Sequence, residues 1–590
     1  MGRWVSVLFF LTLKQDYEVN IFPFQEKLKW DSRVVSYLSE PLPLAIIQLV
    51  LERLTKGHTC LFGEKSPKTI KNRILKILDD FSWDIDLTWK EVSKGASFLE
   101  DPLDLSEDIG NEAGKVFNQF VLGRQLSIDD LRGLARELRL KEEVIIKLAH
   151  FKVERGCAEW VPSVKQNEKG WQCQRCGEKD VEEWPSYYGV AATCRSCQSI
   201  GVRTSLNVLY RDKCSLLDGP TEILFEPHWT LTEAQRLASE HVAEFIKGTS
   251  KEAGLLWAAC GAGKTEVCFP SAAWALTQGK SVLFAAPRQD VINDIAPRLQ
   301  RDFPNYQIQV LTGTTSVKFQ VGGMVLATTH QVLRFWRSFD VIFMDEMDAF
   351  PYHGSRALEW GLKQALRQGG KLLYLTATPS YEGLKAAQQG KISLIRLPAR
   401  HHRNPLPVPI WIRSGNLLEA NRSIGIWAKT IESLRGQGSV LAFVPKISWI
   451  APWVKCIKQR FAGWCVDGSY SGDPGRGMKI KNLQQGHYDV FVSTTILERG
   501  ITLPGIQVVV LGADHPVFDE RALVQMAGRV GRTPENPGGR VVFLSKQISP
   551  AMKTAVQWIE EQNRRALELG LIEPLEKEGR SIEGVVERGI

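Results

Sequence analysis

Residues Ala258 to Thr265 read A-A-C-G-A-G-K-T and follow directly on the apolar Leu255-Leu256-Trp257. A strand that runs into a glycine-containing turn and then a helix aims several backbone N–H groups at one point, which is what a triphosphate requires. Gly261 and Gly263 permit close approach, Lys264 is placed to reach the β and γ phosphates, and the Thr265 hydroxyl is placed to hold Mg²⁺. Gly261, Ala262, Gly263, Lys264 and Thr265 are therefore the candidate nucleotide-binding loop. The first glycine of the usual G-x-x-x-x-G-K-T form is replaced by Ala258.

The rest of the second half of the chain fits that start. Short apolar runs at 281–286, 341–344, 371–375, 440–444, 490–493 and 508–511 alternate with helical stretches, as buried parallel strands in βαβ units do. The run at 341–344 leads into Asp345-Glu346-Met347-Asp348, where Asp345 at a strand end can hold Mg²⁺ and Glu346 can deprotonate the attacking water. Thr376-Ala377-Thr378 follows another run, and Gln525 to Arg532 reads Q-M-A-G-R-V-G-R, expected to carry Arg529 and Arg532 on one helical face. The stretch 394–413 holds Pro398, Pro405, Pro407 and Pro409 together with Arg396, Arg400, Arg403 and Arg413 and no acid. It reads as a linker between two lobes, with a phosphate-contacting surface as the alternative.

At 590 residues the chain has room for roughly three to five domains, which excludes a single small binding module. Lysine and arginine total 74 against 66 acids, a net +8 that is compatible with a polyanionic partner without requiring one. No apolar run reaches the 18 or so residues of a membrane span. Trp4 to Leu13 is closed by Lys14, Gln15 and Asp16, and reads as a buried strand in preference to a signal-peptide core. Ser127 and Asp130 form a capping signal for a helix that puts Ile128, Leu131, Leu134, Ala135 and Leu138 on one face.

Of the 11 cysteines, four fall into a pattern: Cys173-x2-Cys176 and Cys194-x2-Cys197 have the spacing of a four-cysteine zinc ribbon. Four thiolates leave no open position, so the Zn²⁺ is expected to be structural. Cys157 and Cys214 read as core or free thiols, and Cys260 as a small buried one. Nearby Trp160, Trp171, Trp184, Tyr187 and Tyr188, with Arg175, Lys179 and Arg195, either form the small core of the ribbon or stack on single-stranded nucleic acid. The expected fold is α/β: two parallel-sheet lobes at 226–400 and 401–590, a zinc-binding domain at 151–225, and a mixed, mainly helical region of unassigned role at 1–150.

The ordered set Leu231 to Gln235 (L-T-E-A-Q), Ala258 to Thr265, Ala286-Pro287-Arg288, Asp345 to Asp348, Thr376 to Thr378, Ser493 to Gly500 and Gln525 to Arg532 resembles superfamily 2 helicases and translocases. The resemblance implies two RecA-like lobes with ATP in the cleft between them. It implies adenine contact by Gln235, coupling of the lobes by Thr376 and Thr378, and catalytic roles for Lys264, Asp345, Glu346, Gln525, Arg529 and Arg532. It also implies strand contacts at Pro287, Arg288, Thr312, Gly313, Thr328 to Gln331, and Thr494.

A four-cysteine finger before this core, D-E-M-D-A-F-P-Y at Asp345–Tyr352, R-H-H-R-N-P-L-P-V-P at Arg400–Pro409 and R-G-I-T-L-P at Arg499–Pro504 are similar to the ComFA family. Its members are DNA-dependent ATPases at the cytosolic face that help import single-stranded DNA during bacterial transformation. The resemblance implies a cytoplasmic protein, peripheral at the inner face of the membrane. It also implies as partners single-stranded DNA, a membrane DNA-uptake channel, a phosphoribosyltransferase-like competence protein and a single-strand-processing protein. Two alternatives are a primosomal replication-restart helicase, whose cysteines lie inside the second lobe, and a nucleotide-switched nucleic-acid-binding scaffold that does no work.

Overall fold

The computed structural model describes residues 9–14, 19–23, 34–56, 67–79, 87–91, 107–167, 169–217, 219–315, 322–415, 417, 424–497 and 503–572. From residue 253 the apolar runs become two parallel sheets. The first contains β1 (Ala253–Ala258), β2 (Val282–Ala286), β3 (Ile308–Leu311), β4 (Met324–Thr328), β5 (Phe339–Asp345), β6 (Leu366–Thr376) and β7 (Ser393–Leu397), in the order β3-β4-β2-β5-β6-β1-β7. The second contains β8 (Ile410–Arg413), β9 (Val440–Phe443), β10 (Val466–Ser469), β11 (Val490–Ser493), β12 (Gln507–Leu511) and β13 (Val541–Ser545), in the order β8-β13-β12-β9-β11-β10.

Strand periodicity explains why these runs are apolar without alternation. Val282, Phe284 and Ala286 enter one core with Val341 and Phe343, while Leu283 and Ala285 enter the core on the opposite face with Ile342 and Met344. Phe284 stacks on Phe343 at 4.8 Å between ring centroids. Full burial of each such ring contributes about 1.5–3 kcal/mol. The first of these cores runs on without a break into the second lobe through Phe443, Val510, Leu523 and Met526.

The acid-free stretch is shorter as a linker than the sequence suggested. Its ends are edge strands, β7 and β8, and the connection between them is tied down: Leu406 N–H donates to Asn563 Oδ1 at 2.7 Å on the helix Pro550–Glu568. Two of its four arginines, Arg403 and Arg413, are exposed, and Arg400 is buried. Arg396 lies over the Trp257 ring and pairs with Glu561 at 3.2 Å, and Arg403 donates to Gly570 O.

Ahead of the lobes, residues 19–23, 9–14, 34–38 and 89–91 form an antiparallel sheet in that order, with Phe9 and Leu11 fully buried. The start of the Trp4–Leu13 run lies outside the described residues. The helix Ile128–Glu137 begins on the expected capping box of Ser127 and Asp130, and buries Ile128, Leu131, Leu134 and Ala135. Gln125–Ser127 pairs with Val208–Asp212, which also pairs with Ala158–Pro162, so residues on either side of position 150 share one core. Two hairpins, 164–173 and 181–194, end on Cys173 and Cys194, and Cys176 and Cys197 follow in the turn just beyond each. No helix among the described residues is long and apolar enough to cross a membrane.

Candidate active site and metal centre

β1 ends at Ala258, which is still paired in the sheet, and the turn begins one residue later, where Ala259 N–H donates to Leu397 O. The alanine in place of the first glycine therefore asks nothing unusual of the backbone. Gly261 and Gly263 carry the turn at φ 78° and 76°, a region in which side chains are strained. A Cβ on Gly263 would also come within 2.5 Å of Gln235 Nε2. Gln235 is held by a capping box with Thr232, and its Nε2 donates to Ala262 O at 2.9 Å, so its amide braces the loop from the neighbouring helix.

Asp345 closes β5 and meets the loop. Lys264 Nζ lies 3.0 Å from Asp345 Oδ1, and Thr265 Oγ1 donates to Asp345 Oδ2 at 3.0 Å. Hydroxyl and carboxylate are thus side by side where a magnesium ion would bind both, and the donor set fits that ion. Burial opposes the charge on Lys264, but the carboxylates of Asp345, Glu346 and Asp348 outweigh it and hold the ammonium above its ordinary value. Glu346 takes a left-handed backbone, φ 51°, and its N–H donates to Asp345 Oδ1 at 2.8 Å. Asp348 accepts hydrogen bonds from the hydroxyls of Thr376, at 2.8 Å, and Thr378. This joins the acidic turn after β5 to the turn after β6.

The second lobe reaches the same loop, with one correction to the sequence reading. The helix Glu520–Ala527 stops at Gly528, so Arg529 and Arg532 sit on a turn beyond it, not on a shared helical face. Gly531 at φ 64° bends the chain there. Arg529 is fully buried. Arg532 lies across the cleft against the loop: a Cβ on Gly261 would stand 3.8 Å from its Cγ. Burial lowers the pKa of Arg532, and Glu346 is among the groups that oppose this. Gln525 Oε1 is 3.8 Å from Cys260 Sγ, and Gly528 is so close to Cys260 that an added Cβ would be 2.4 Å from Cys260 Cβ.

Arg400, named in the sequence as part of a basic stretch and of the Arg400–Pro409 motif, lies in the nucleotide cleft, a place that neither feature assigned to it. It is 1% exposed and spans loop and turn, donating to Cys260 O at 2.8 Å, Val530 O at 2.7 Å, Gly531 O at 2.6 Å and Gly528 O at 3.1 Å.

The four cysteines converge and are buried, with their sulfur atoms all within 4.8 Å of one another. Cys173 Sγ to Cys197 Sγ is 3.8 Å and Cys176 Sγ to Cys194 Sγ is 3.6 Å. A zinc tetrahedron with Zn–S of about 2.3 Å has edges of about 3.8 Å, so the set fits the metal. Hydrogen bonds from the other three thiols hold Cys173 well below the ordinary thiol range. The module is not a free finger. Its cysteines belong to the same core as Leu358 and Leu362 of the first lobe, and Gly177 lies flat on the Trp360 ring, 2.3 Å being left for a Cβ. Arg175 is buried and donates to Ile200 O, Trp160 is in the core, and Arg195 pairs with Asp180. Tyr187 remains exposed.

The candidate strand contacts gather at the carboxyl ends of neighbouring strands β2, β4 and β3. Pro287 and Arg288 follow β2, Thr312 and Gly313 follow β3, and Thr328 ends β4. The nucleotide residues occupy the ends of β1, β5 and β6, which adjoin them on the same edge. Arg288 is engaged by Asp290 at 2.8 and 3.1 Å, and the Thr312 hydroxyl lies 3.0 Å from that of Thr315. Thr494 follows β11 in the second lobe, and Glu498 to Gly500 lie outside the described residues, as do Arg499 to Thr502.

Residues 228–381 match the family described as Type III restriction enzyme, res subunit, and residues 425–534 match the Helicase conserved C-terminal domain. Residues 116–211 match the Competence protein ComFA N-terminal domain. Competence protein ComFA of Bacillus subtilis is 35% identical over 441 residues, covering 73% of this chain and 93% of that protein. Competence protein ComFA of Streptococcus pneumoniae is 32% identical over 447 residues, covering 75% of this chain and 99% of that protein. Among solved structures, the Mycobacterium smegmatis helicase Lhr bound to ssDNA and AMP-PNP is 15% identical, with a TM-score of 0.43 over 57% of this chain and 51% of that one. With two relatives matched along nearly their whole length and the helicase domains in order, the chain belongs to the ComFA family of competence proteins and is an ATP-dependent enzyme of the superfamily 2 helicase and translocase class.

Proposed function

We propose that the protein hydrolyses ATP between its two lobes to move along single-stranded DNA, and that this motion serves DNA uptake in transformation. The observation that supports it best is the split site: Lys264, Thr265 and Asp345 on one lobe, and Arg532 of the other lobe laid against Gly261. In this reading Lys264 holds the β and γ phosphates, Glu346 takes the proton of the attacking water, and Gln235 meets the adenine. Arg532, supported by Arg529 and Gln525, stabilises charge on the transferring group. Thr265 and Asp345 would hold magnesium, which would supply Lewis-acid neutralisation of the phosphate oxygens. Zinc on Cys173, Cys176, Cys194 and Cys197 supplies structure alone.

ATP closes the lobes and hydrolysis reopens them. Pro287, Arg288, Thr312, Gly313, Thr328 and Thr494 grip the strand in alternation, mainly through its phosphates, so affinity falls with salt and sequence preference is slight. Asp348, with Thr376 and Thr378, relays between the two kinds of site. The cellular reading places the protein in the cytoplasm, at the inner face of the membrane. There it hands DNA on from an uptake channel, with a phosphoribosyltransferase-like competence protein as a further partner. The position of the cysteines before the first lobe weighs against a replication-restart helicase. The test is turnover on single-stranded DNA compared with duplex DNA and RNA. Binding of ATP without stimulated hydrolysis would favour the scaffold reading.

A further inference from the structure

We infer that Arg400 is a positioning residue that holds Arg532 in register with the phosphate loop, a role that rests on the ATPase reading above. Arg400 lies three residues beyond the end of β7, the last strand of the first lobe in chain order. One of its hydrogen bonds stays on that lobe, to Cys260 O inside the phosphate loop. The other three go to Gly528 O, Val530 O and Gly531 O on the second lobe. These carbonyls bracket Arg529 and immediately precede Arg532.

Gly528 O is shared, because Arg532 Nε donates to it at 3.0 Å. The guanidinium therefore fixes the same carbonyl that orients the arginine facing Gly261. The arrangement suits arginine chemically. Gly528 caps the helix Glu520–Ala527, whose last carbonyls carry the negative end of the helix dipole. A planar fork with five N–H donors can serve four carbonyls at once, which a lysine cannot. Gly531 is needed beside it, since a Cβ there would be 2.3 Å from Pro537 O and 3.2 Å from Arg400 Nη1. Burial lowers the pKa of Arg400 to about 10, still fully protonated at neutral pH. His402 Nε2, 2.8 Å from Gly531 O, reinforces the same turn.

The test compares wild type, Arg400→Lys, Arg532→Ala and the double variant. In ATPase assays with saturating single-stranded DNA, Arg400→Lys should lower kcat by about 100-fold, the cost of about 1 Å of misplacement, while KM for ATP changes less than about threefold. The double variant should be no slower than Arg532→Ala within about twofold, because both act on one arginine. Multiplying losses, or a wild-type kcat in Arg400→Lys, overturn the inference. If Arg400→Lys does not melt cooperatively, His402→Ala replaces it, with a smaller loss that again does not multiply with Arg532→Ala. Hydrogen–deuterium exchange gives a readout independent of turnover: the turn at residues 528–532, whose carbonyls Arg400 holds, should exchange several-fold faster in Arg400→Lys than in wild type, and unchanged exchange there overturns the inference. Absence of turnover in the wild type would instead sink the ATPase reading, leaving the exchange result to decide the role of Arg400.

Discussion

Replacing Gly528 with alanine should jam the two lobes apart without harming either. The backbone at Gly528 is at φ −63° and ψ −5°, an ordinary right-handed conformation, so alanine is free of strain there. Its added methyl, however, would stand 2.4 Å from Cys260 Cβ and 2.7 Å from Cys260 Sγ. The sulfur can rotate, but Cβ is fixed to the phosphate-loop backbone. Restoring an ordinary carbon contact of 3.5–4.0 Å requires the lobes to separate by about 1 Å or more. That distance withdraws Arg532 from the loop and should cost about 100-fold in kcat, or about 2.7 kcal/mol. The thermal midpoint should stay within a few degrees of wild type. Steady-state ATP hydrolysis with single-stranded DNA reads the first quantity and a thermal melt the second. Adding Cys260→Gly, which removes the opposing Cβ, should recover much of the lost rate. A wild-type kcat in Gly528→Ala would show that the lobes do not meet at Cys260 during turnover, and the split-site geometry would be refuted.

Further expectations follow from the same geometry. Lys264→Ala should abolish hydrolysis and leave DNA binding, measured by fluorescence anisotropy, largely intact; equal loss of both would argue against separate sites. Glu346→Gln should retain nucleotide in a filter-binding assay, and normal turnover would remove Glu346 from the proton transfer. Cys173→Ser should lower zinc content and, because the cysteines share a core with Leu358 and Leu362, the melting of the first lobe as well. A destabilised finger on an unchanged lobe would contradict that shared core. His150 is buried, and burial depresses its pKa from 6.5 to about 4. The unfolded chain then binds the proton first, so stability is intact above pH 6.5 and falls by about 2–3 kcal/mol as pH drops to 4. Denaturant titrations of wild type and His150→Leu should diverge over that window; parallel curves would exclude the histidine.

The parts of the fold legible in the sequence are those whose residues are buried on both faces. The runs containing Phe284, Phe343 and Val510 are continuous because neighbouring side chains enter opposite cores, and all three lie in parallel strands. The phosphate loop, the acidic turn and the cysteine pairs were legible because their spacing is local. Contacts set by distant chain segments were not. Nothing around Arg400 announces carbonyls some 130 residues further on, and the bland alternative of a linker concealed its role. Likewise Gly177 gives no sign that it will meet Trp360, which is why the cysteine module read as a separate finger. The helix before Arg529 ends sooner than the arginine spacing predicts, because Gly528 and Gly531 stop it inside the motif.

The most direct test is the rate of ATP hydrolysis by the purified 590-residue chain with no nucleic acid, with single-stranded DNA, with duplex DNA and with RNA. Single-stranded DNA should raise the rate many-fold above the basal value and above the other two, and the stimulation should weaken as salt is increased. Equal rates in all four conditions, or stimulation by duplex alone, would contradict a motor that works on single strands.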